Sequence, residues 1–158
     1  MDFYFDPPER RQQLKAVLAT WAGTPFVEGA STPGEGCDCT RFALGVLGGC
    51  GMPIDELPPL PRFSLREGRH REETRLMVWL HSSDWSKAHL SRALKDDPAH
   101  PGDVIACKPH GSLGANHLAI AESAGVYWHC DLSVGVTTIM PQHLRTVAIY
   151  RLRDNFPA

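Results

Sequence analysis

The sequence predicts a single α+β domain in which N-terminal helices pack on one side of a small curved antiparallel sheet. Apolar residues recur at helical spacing only in the first half of the chain, around residues 8–21 and 72–80. Short segments rich in β-branched and aromatic residues, most of them separated by turn residues, fill residues 103–152. A length of 158 residues suits one hydrophobic core, so we assign residues 1–158 to one domain.

The first helix is expected to begin at Pro8. Proline fits the first turn of a helix because its missing N–H has no partner there in any case. Apolar residues then follow at helical spacing as far as Trp21, and Gly23 provides a stop signal.

The middle of the chain alternates between loops and short helices. Residues 24–36 are rich in glycine, proline, serine and threonine and indicate a loop. A short buried helix is predicted to begin near Cys39, where apolar residues start to dominate. Four prolines between residues 53 and 61 indicate an extended, irregular connection. Residues 72–80 are typical of a second amphipathic helix, whereas residues 86–97 favour neither helix nor strand.

The second half of the chain has the composition of antiparallel strands. Five segments fit this pattern in order: DVIACK, HLAIAES, GVYWHCD, GVTTIM and TVAIYRLR. Gly125 lies between the second and third segments and indicates a hairpin. Because that hairpin reverses the chain, His117 at its start and His129 near its end are predicted to be neighbours.

Composition excludes several classes of function. The net charge is −2 and basic residues are not clustered, which argues against a nucleic-acid partner. No apolar run is long enough for a membrane span. The N-terminus is acidic and lacks the pattern of a secretory signal, so synthesis in the cytoplasm without a signal peptide is expected. The five cysteines are unevenly spaced, which favours reduced thiols over a disulfide scaffold.

Cys39 is the candidate nucleophile. It follows a glycine-rich loop and is expected to open a helix, where unpaired backbone N–H groups and the helix dipole lower the pKa of a thiol. The same N–H groups can stabilise an oxyanion. Such a cysteine needs a base, and the base needs an orienting partner. The predicted neighbours His117 and His129 suit these two roles.

Several segments together resemble the NlpC/P60 cysteine peptidases. The stretch GTPFVEGASTPGEGCDCTRF is similar to the family signature of an aromatic residue, a glycine-rich loop and Gly-x-Asp-Cys-Ser-Gly. HPGDVIACK resembles the family's Pro-Gly-Asp strand entry, and NHLAIAESAGVYWHC resembles its hairpin with two histidines. The resemblance covers residues 21–131 in the expected order. It implies a papain-like NlpC/P60 fold and no cofactor or metal.

Site roles follow from this resemblance residue by residue. Cys39 matches the nucleophile, His117 the base and His129 the residue that orients the base. Asp38 matches an aspartate that, in relatives cutting cell-wall peptides, holds the free amino group of the substrate. The backbone N–H of Cys39 would contribute to the oxyanion hole.

The chain departs from the family pattern at three further positions near the substrate. Phe26 stands roughly where many relatives have a tyrosine that contacts substrate, Thr40 replaces serine, and Arg41 replaces glycine. These departures bear on specificity for cell-wall peptides more than on the catalytic residues. Arg41 either points to solvent or lines the cleft and favours an acidic substrate. The segment 53–98 has no clear counterpart in the family and would form either a lid or a specificity wall.

The resemblance implies a cysteine hydrolase that cleaves amide or isopeptide bonds through a thioester, most simply in peptidoglycan stem peptides. The stretch CTRFA also resembles CHAP amidases, so an amidase or acyltransferase of the same fold is an alternative. Asp38 and His129 favour NlpC/P60. The chain is similar to stand-alone members from phage tail gene clusters, which implies phage tail proteins as partners and association with virions or export by a non-Sec route.

Two interpretations that are not enzymatic stay open. One is a non-catalytic phage tail or assembly module that keeps the fold for binding. The other is a zinc-stabilised binding module using Cys37, Cys39, His129 and Cys130. Structural zinc sites usually pair cysteines two to four residues apart, so Cys-x-Cys is a poor clamp. Neighbouring His129 and Cys130 are also expected to point to opposite faces of a strand.

Overall fold

Helices and a six-stranded antiparallel sheet make up most of the chain that the computed structural model describes, namely residues 2–56, 60 and 66–156. The helices are α1 (Pro8–Trp21), α2 (Cys39–Gly49), α3 (Arg75–Ser82) and α4 (Asp84–His89). Short 3-10 turns occur at Ile54–Glu56, Glu67–Arg69 and Pro141–His143. The strands are β1 (Ser31–Thr32), β2 (Gly36–Cys37), β3 (Leu90–Arg92), β4 (Val104–Lys108), β5 (His117–Ser123), β6 (Val126–Asp131), β7 (Gly135–Ile139) and β8 (Arg145–Leu152).

The large sheet has the strand order β3-β8-β4-β5-β6-β7, and every pairing in it is antiparallel. β4 to β7 are joined in sequence, while β8 returns to pair with β4 on its other side. The predicted α+β class and all five predicted strand segments are confirmed. Residues 24–36, predicted as a loop, also contain the two-stranded ribbon of β1 and β2.

The main core lies between the helices and one face of the sheet. In β4, Val104 and Ala106 face this core, whereas Ile105 between them belongs to a smaller cluster on the other face. This alternation is the period-two pattern expected of a strand with both faces covered. Leu14 and Leu18 of α1 are fully buried in the main core.

A close contact between α1 and α2 sets the position of the second helix. The indole of Trp21 packs directly over Gly45, where a Cβ atom would lie 2.5 Å from the ring. Trp21 also meets Phe42 edge to face at 5.8 Å between ring centroids. Any larger residue at position 45 would push α2, and with it the start of the helix, away from α1.

Three local expectations have distinct outcomes. The helix predicted over residues 72–80 is found as α3, whose first residue is Arg75 and which is capped by Thr74. Residues 86–97, left undecided by the sequence, contain the end of α4 and all of β3. The proline-rich connection of residues 53–61 includes a 3-10 turn at Ile54–Glu56. Its positions 57–59 and 61 lie outside the described residues.

No helix among the described residues is both long and apolar enough to traverse a lipid bilayer.

Candidate active site

The start of α2 holds Cys39 as its first helical residue. Asp38 is the N-cap, with an extended backbone, and its carboxylate accepts the N–H of Arg41 at 2.9 Å. An aspartate is a preferred N-cap because it satisfies an otherwise unpaired N–H and carries charge that suits the helix dipole. Cys39 is 7% exposed, so its thiol is largely shielded from solvent.

The β5–β6 hairpin brings the two predicted histidines together. Ala119 lies opposite His129 in the strand register, and His117 lies two residues before Ala119. Nε2 of His117 is 2.9 Å from Nδ1 of His129, and the rings are nearly perpendicular. The predicted proximity of His117 and His129 is thereby confirmed. In the tautomer in which Nε2 of His117 donates to His129, Nδ1 is the ring nitrogen left to accept a proton from a neighbour.

A cleft of about 790 Å³ is lined by Cys39, His117 and His129 together. Sγ of Cys39 lies 4.0 Å from the backbone oxygen of Asn116, the residue immediately before His117. α2 therefore delivers the thiol to the start of β5, where the proposed base stands. The residues predicted as nucleophile, base and orienting group therefore line one cleft, as nucleophilic catalysis would require of them.

Burial dominates the protonation of the thiol. It raises the pKa of Cys39 to about 11, against the lowering effect of the backbone N–H groups of Leu118 and Thr40. The sequence-based expectation of a lowered thiol pKa is therefore wrong for the free protein. The helix N-terminus is present as predicted, but the loss of solvent around the sulfur outweighs it.

Burial also keeps the histidines neutral. It lowers the pKa of His117 to about 4, and the proximity of His129 adds to this, while Asp131 acts in the opposite direction. Burial also lowers the pKa of His129. Near neutral pH the resting site therefore holds a neutral thiol and a neutral imidazole pair.

Asp131 is a member of the site that the sequence analysis did not identify. It is the last residue of β6 and stands two positions after His129, so both side chains lie on the same face of the strand. Its carboxylate accepts the N–H groups of Ser133 and Val134, which lower its pKa and keep it ionised. It also lines the cleft and favours the charged form of both histidines. The i+2 spacing from His129 was the signal that could have revealed it.

The four predicted substrate-contact residues do not lie together. Phe26 lines the cleft, held there by a bridge to Cys37. Asp38, Thr40 and Arg41 are not among the described residues that line it. They form a polar cluster of their own, in which Asp38 accepts bonds from the Thr40 hydroxyl at 3.0 Å and from Nη1 of Arg41 at 2.8 Å. The Gly29 N–H also donates to Asp38, so its carboxylate is fully engaged.

The other four cysteines are buried in the fold. Sγ atoms of Cys37 and Cys130 lie 3.5 Å apart, which links the start of α2 to β6. Burial raises the pKa of Cys50 to about 12 and raises that of Cys107 as well. Within the described part of the chain, no three His, Cys, Asp or Glu side chains converge in a way that could hold a metal ion.

A second, larger concavity of about 1010 Å³ lies between α3, α4 and the turn at Glu67–Arg69. Trp79 and Trp85 stack on each other in its wall, and both are nearly buried. Its described lining contains no cysteine. Volume alone does not identify the candidate site, because Cys39 and the two histidines line the smaller cleft.

Helices packed on an antiparallel sheet, with a cysteine opening a helix opposite a histidine pair on neighbouring strands, define a papain-like α+β domain. Two solved structures share this architecture with the chain. One is a lipoprotein-like protein of the NLP/P60 family from Staphylococcus aureus subsp. aureus Mu50, with a TM-score of 0.60 and 18% identity over 98% of this chain. The other is the NlpC/p60 domain of the peptidoglycan hydrolase SagA, with a TM-score of 0.52 and 18% identity over 88% of this chain.

The predicted NlpC/P60 fold is thereby confirmed. The match covers 96% of the SagA domain but only 45% of the staphylococcal protein, so the chain spans less than half of the latter's length. No family model matches the sequence. No curated protein matches it either. Comparison of structures thus detects the shared fold at 18% identity, where comparison of sequences finds no match.

Proposed function

We propose that this protein is a cysteine hydrolase that cleaves an amide or isopeptide bond in peptidoglycan stem peptides. The observation that carries the proposal is the 2.9 Å contact between His117 and His129, in a cleft that Cys39 also lines. The substrate class is suggested by the fold shared with a domain of a peptidoglycan hydrolase.

Acylation begins from the neutral pair. Sγ of Cys39 attacks the carbonyl carbon of the scissile amide while the thiol proton passes to Nδ1 of His117. The resulting oxyanion accepts the backbone N–H of Cys39, which is unpaired within the helix because it lies in the first turn of α2. His117 then gives its proton to the leaving nitrogen, the C–N bond breaks, and an amine departs from a thioester on Cys39.

Deacylation uses the same groups in reverse. A water molecule attacks the thioester carbonyl and gives a proton to Nδ1 of His117. The C–S bond then breaks, the sulfur takes the proton back from His117, and a carboxylic acid leaves. His129 supports both steps because its Nδ1 accepts the Nε2 hydrogen of His117 and holds that ring in one tautomer. Asp131 stabilises the imidazolium that forms in each step.

Digestion of purified stem peptides in water enriched in oxygen-18 tests this proposal. Mass spectrometry should show new amine and carboxyl ends, with one heavy oxygen in each new carboxyl group. The Cys39→Ser variant, folded to the same extent by circular dichroism, should produce neither. Cleavage that persists in Cys39→Ser would overturn the assignment of the nucleophile. Absence of Cys39-dependent products from any stem peptide would overturn the proposed substrate class.

A further inference from the structure

Two cations stand in direct register on one wall of the Cys39 cleft. Lys108 ends β4, Arg145 begins β8, and the two residues are cross-strand partners. Both line the cleft, so their side chains share a face of the sheet. Directly opposed residues have Cβ atoms about 5 Å apart, and like charges at that spacing destabilise a sheet. An anion bound between the two charges would remove this repulsion.

Local backbone geometry directs this pair into the cleft. The β4–β8 register shifts between Ala106 and Cys107, so that Val147 on β8 is left without a partner. Such a bulge re-aims the side chains that follow it and is frequent beside active sites. Nζ of Lys108 makes one long contact, 3.5 Å, to the backbone oxygen of Leu113. In the described part of the chain, neither Lys108 nor Arg145 forms an ion pair with a carboxylate.

Two further basic residues line the cleft. Arg66 and Arg69 line it from the 3-10 turn. Glu67 stands between them in sequence, but its carboxylate turns to the other concavity, where it accepts the N–H of Arg75 at 2.7 Å. The one acidic residue of the turn is therefore not part of the described lining of the cleft.

The described lining of the cleft holds four Lys or Arg side chains and a single carboxylate, that of Asp131. The chain as a whole has a net charge of −2, so the positive charge is concentrated at the site. A cleft lined by one sign of charge focuses its field on a bound ligand. Arg41 does not take part, because it is paired with Asp38 outside this lining.

We infer that Lys108 and Arg145 bind a carboxylate of the substrate close to the scissile amide, so that the protein selects acidic peptides. This inference rests on the proposed function and adds its specificity. A carboxylate between the two side chains accepts charge-assisted hydrogen bonds from both and removes their mutual repulsion. The cleft then holds the anionic part of the substrate while Cys39, on α2, reaches the amide.

The test compares one synthetic stem tetrapeptide in two forms, with free carboxylates and with each carboxylate converted to a carboxamide. The native protein should turn over the free form at least about tenfold better in kcat/KM, as expected for a charge-assisted contact. In Lys108→Gln/Arg145→Gln the two forms should differ by less than about twofold. The control Lys15→Gln/Lys95→Gln removes the same charge from exposed sites outside the cleft lining and should keep the native preference.

Binding separates this inference from the proposed function. Calorimetry on Cys39→Ser needs no turnover, and the free tetrapeptide should bind about tenfold more tightly than the amidated one. Equal binding, or equal turnover of the two forms by the native protein, would overturn the inference and leave the hydrolase proposal standing. Inhibition by inorganic phosphate combined with equal turnover would assign the wall to phosphate instead and also overturn it. Thermal unfolding of Lys108→Gln/Arg145→Gln should occur at the native temperature or above, since repulsion is relieved, whereas a purely structural pair would lower it.

Discussion

Nε2 of His117 lies 2.9 Å from Nδ1 of His129, and the two residues come from neighbouring strands of one hairpin. When Nε2 of His117 is the donor in this contact, Nδ1 remains for the proposed proton transfer from Cys39. A histidine that donates from Nε2 presents the lone pair of Nδ1, so the contact selects the tautomer that can serve as a base.

Replacing His129 should lower kcat with little change in KM, because His129 orients His117 and does not hold the substrate. His129→Asn keeps an oxygen that can accept the Nε2 hydrogen, whereas His129→Ala removes the acceptor. We expect His129→Ala to lose much of the roughly 10²–10⁴-fold contribution of the base and His129→Asn to lose less. Steady-state kinetics of the two variants beside His117→Ala measure this order. Equal losses in both His129 variants would contradict the orienting role.

The acid limit of activity should lie near pH 4. His117 must be neutral to take the thiol proton, and burial lowers its pKa to about 4 from an ordinary value of about 6.5. Activity in kcat/KM should therefore persist at pH 5, where an ordinary histidine would be largely protonated. The measurement is a pH profile of kcat/KM normalised to the folded fraction.

The normalisation in that profile is necessary because the same shift affects folding. Below about pH 6.5 the unfolded chain binds a proton at His117 that the folded chain does not bind until about pH 4. Stability thus falls across this window as the pH decreases. A normalised activity that halves near pH 6.5 would show that His117 is not the neutral base described here.

Asp131→Asn should slow the chemical step and move the acid limit to still lower pH. The carboxylate of Asp131 raises the pKa of His117, so its removal makes the imidazolium harder to form. Asparagine keeps an oxygen for the Ser133 and Val134 N–H groups, so the turn is retained. The pH profile of kcat/KM is the measurement. A profile that stays in place, or an acid limit that rises, would contradict the electrostatic role of Asp131.

Iodoacetamide should modify Cys39 slowly at neutral pH and faster with each unit of rising pH. A thiol of pKa about 11 is roughly 100-fold less ionised at pH 7 than an ordinary cysteine. Labelling detected by peptide mapping should rise about tenfold per pH unit between pH 7 and 9. Cys39→Ser provides the blank for the labelled peptide. A rate that is flat over this range would indicate a preformed thiolate–imidazolium pair.

Local patterns in the sequence were sufficient for the fold class and for the three residues that meet in the cleft. Period-two and helical spacings identify β5, β6 and the start of α2, and a turn between two strands brings His117 to His129. The pKa of Cys39 could not be predicted in this way. It depends on how much solvent the packed strands exclude, and that is a property of tertiary packing.

The positive charge of the cleft could not be predicted from the sequence either. Lys108 and Arg145 are 37 positions apart, and only the register of β4 with β8, after a bulge, places them opposite each other. The sequence offered Arg41 as a cation for the cleft because it lies two positions after Cys39, but Arg41 is bound to the N-cap carboxylate of Asp38 instead. Pairing across a sheet cannot be read from one strand at a time.

Asp103 lies directly before β4, and its structural environment predicts a large role in stability. Asp103 is 1% exposed, and its carboxylate accepts three hydrogen bonds from the guanidinium of Arg151, one of them at 2.8 Å from Nη2. Asp103→Ala leaves a buried cation without its partner and should cost about 3–5 kcal/mol in the free energy of unfolding. The exposed pair of Arg10 and Asp154 offers the comparison, since Asp154→Ala should cost at most about 1 kcal/mol. Urea unfolding followed by tryptophan fluorescence measures both values, and equal losses would show that burial does not govern the Asp103 pair.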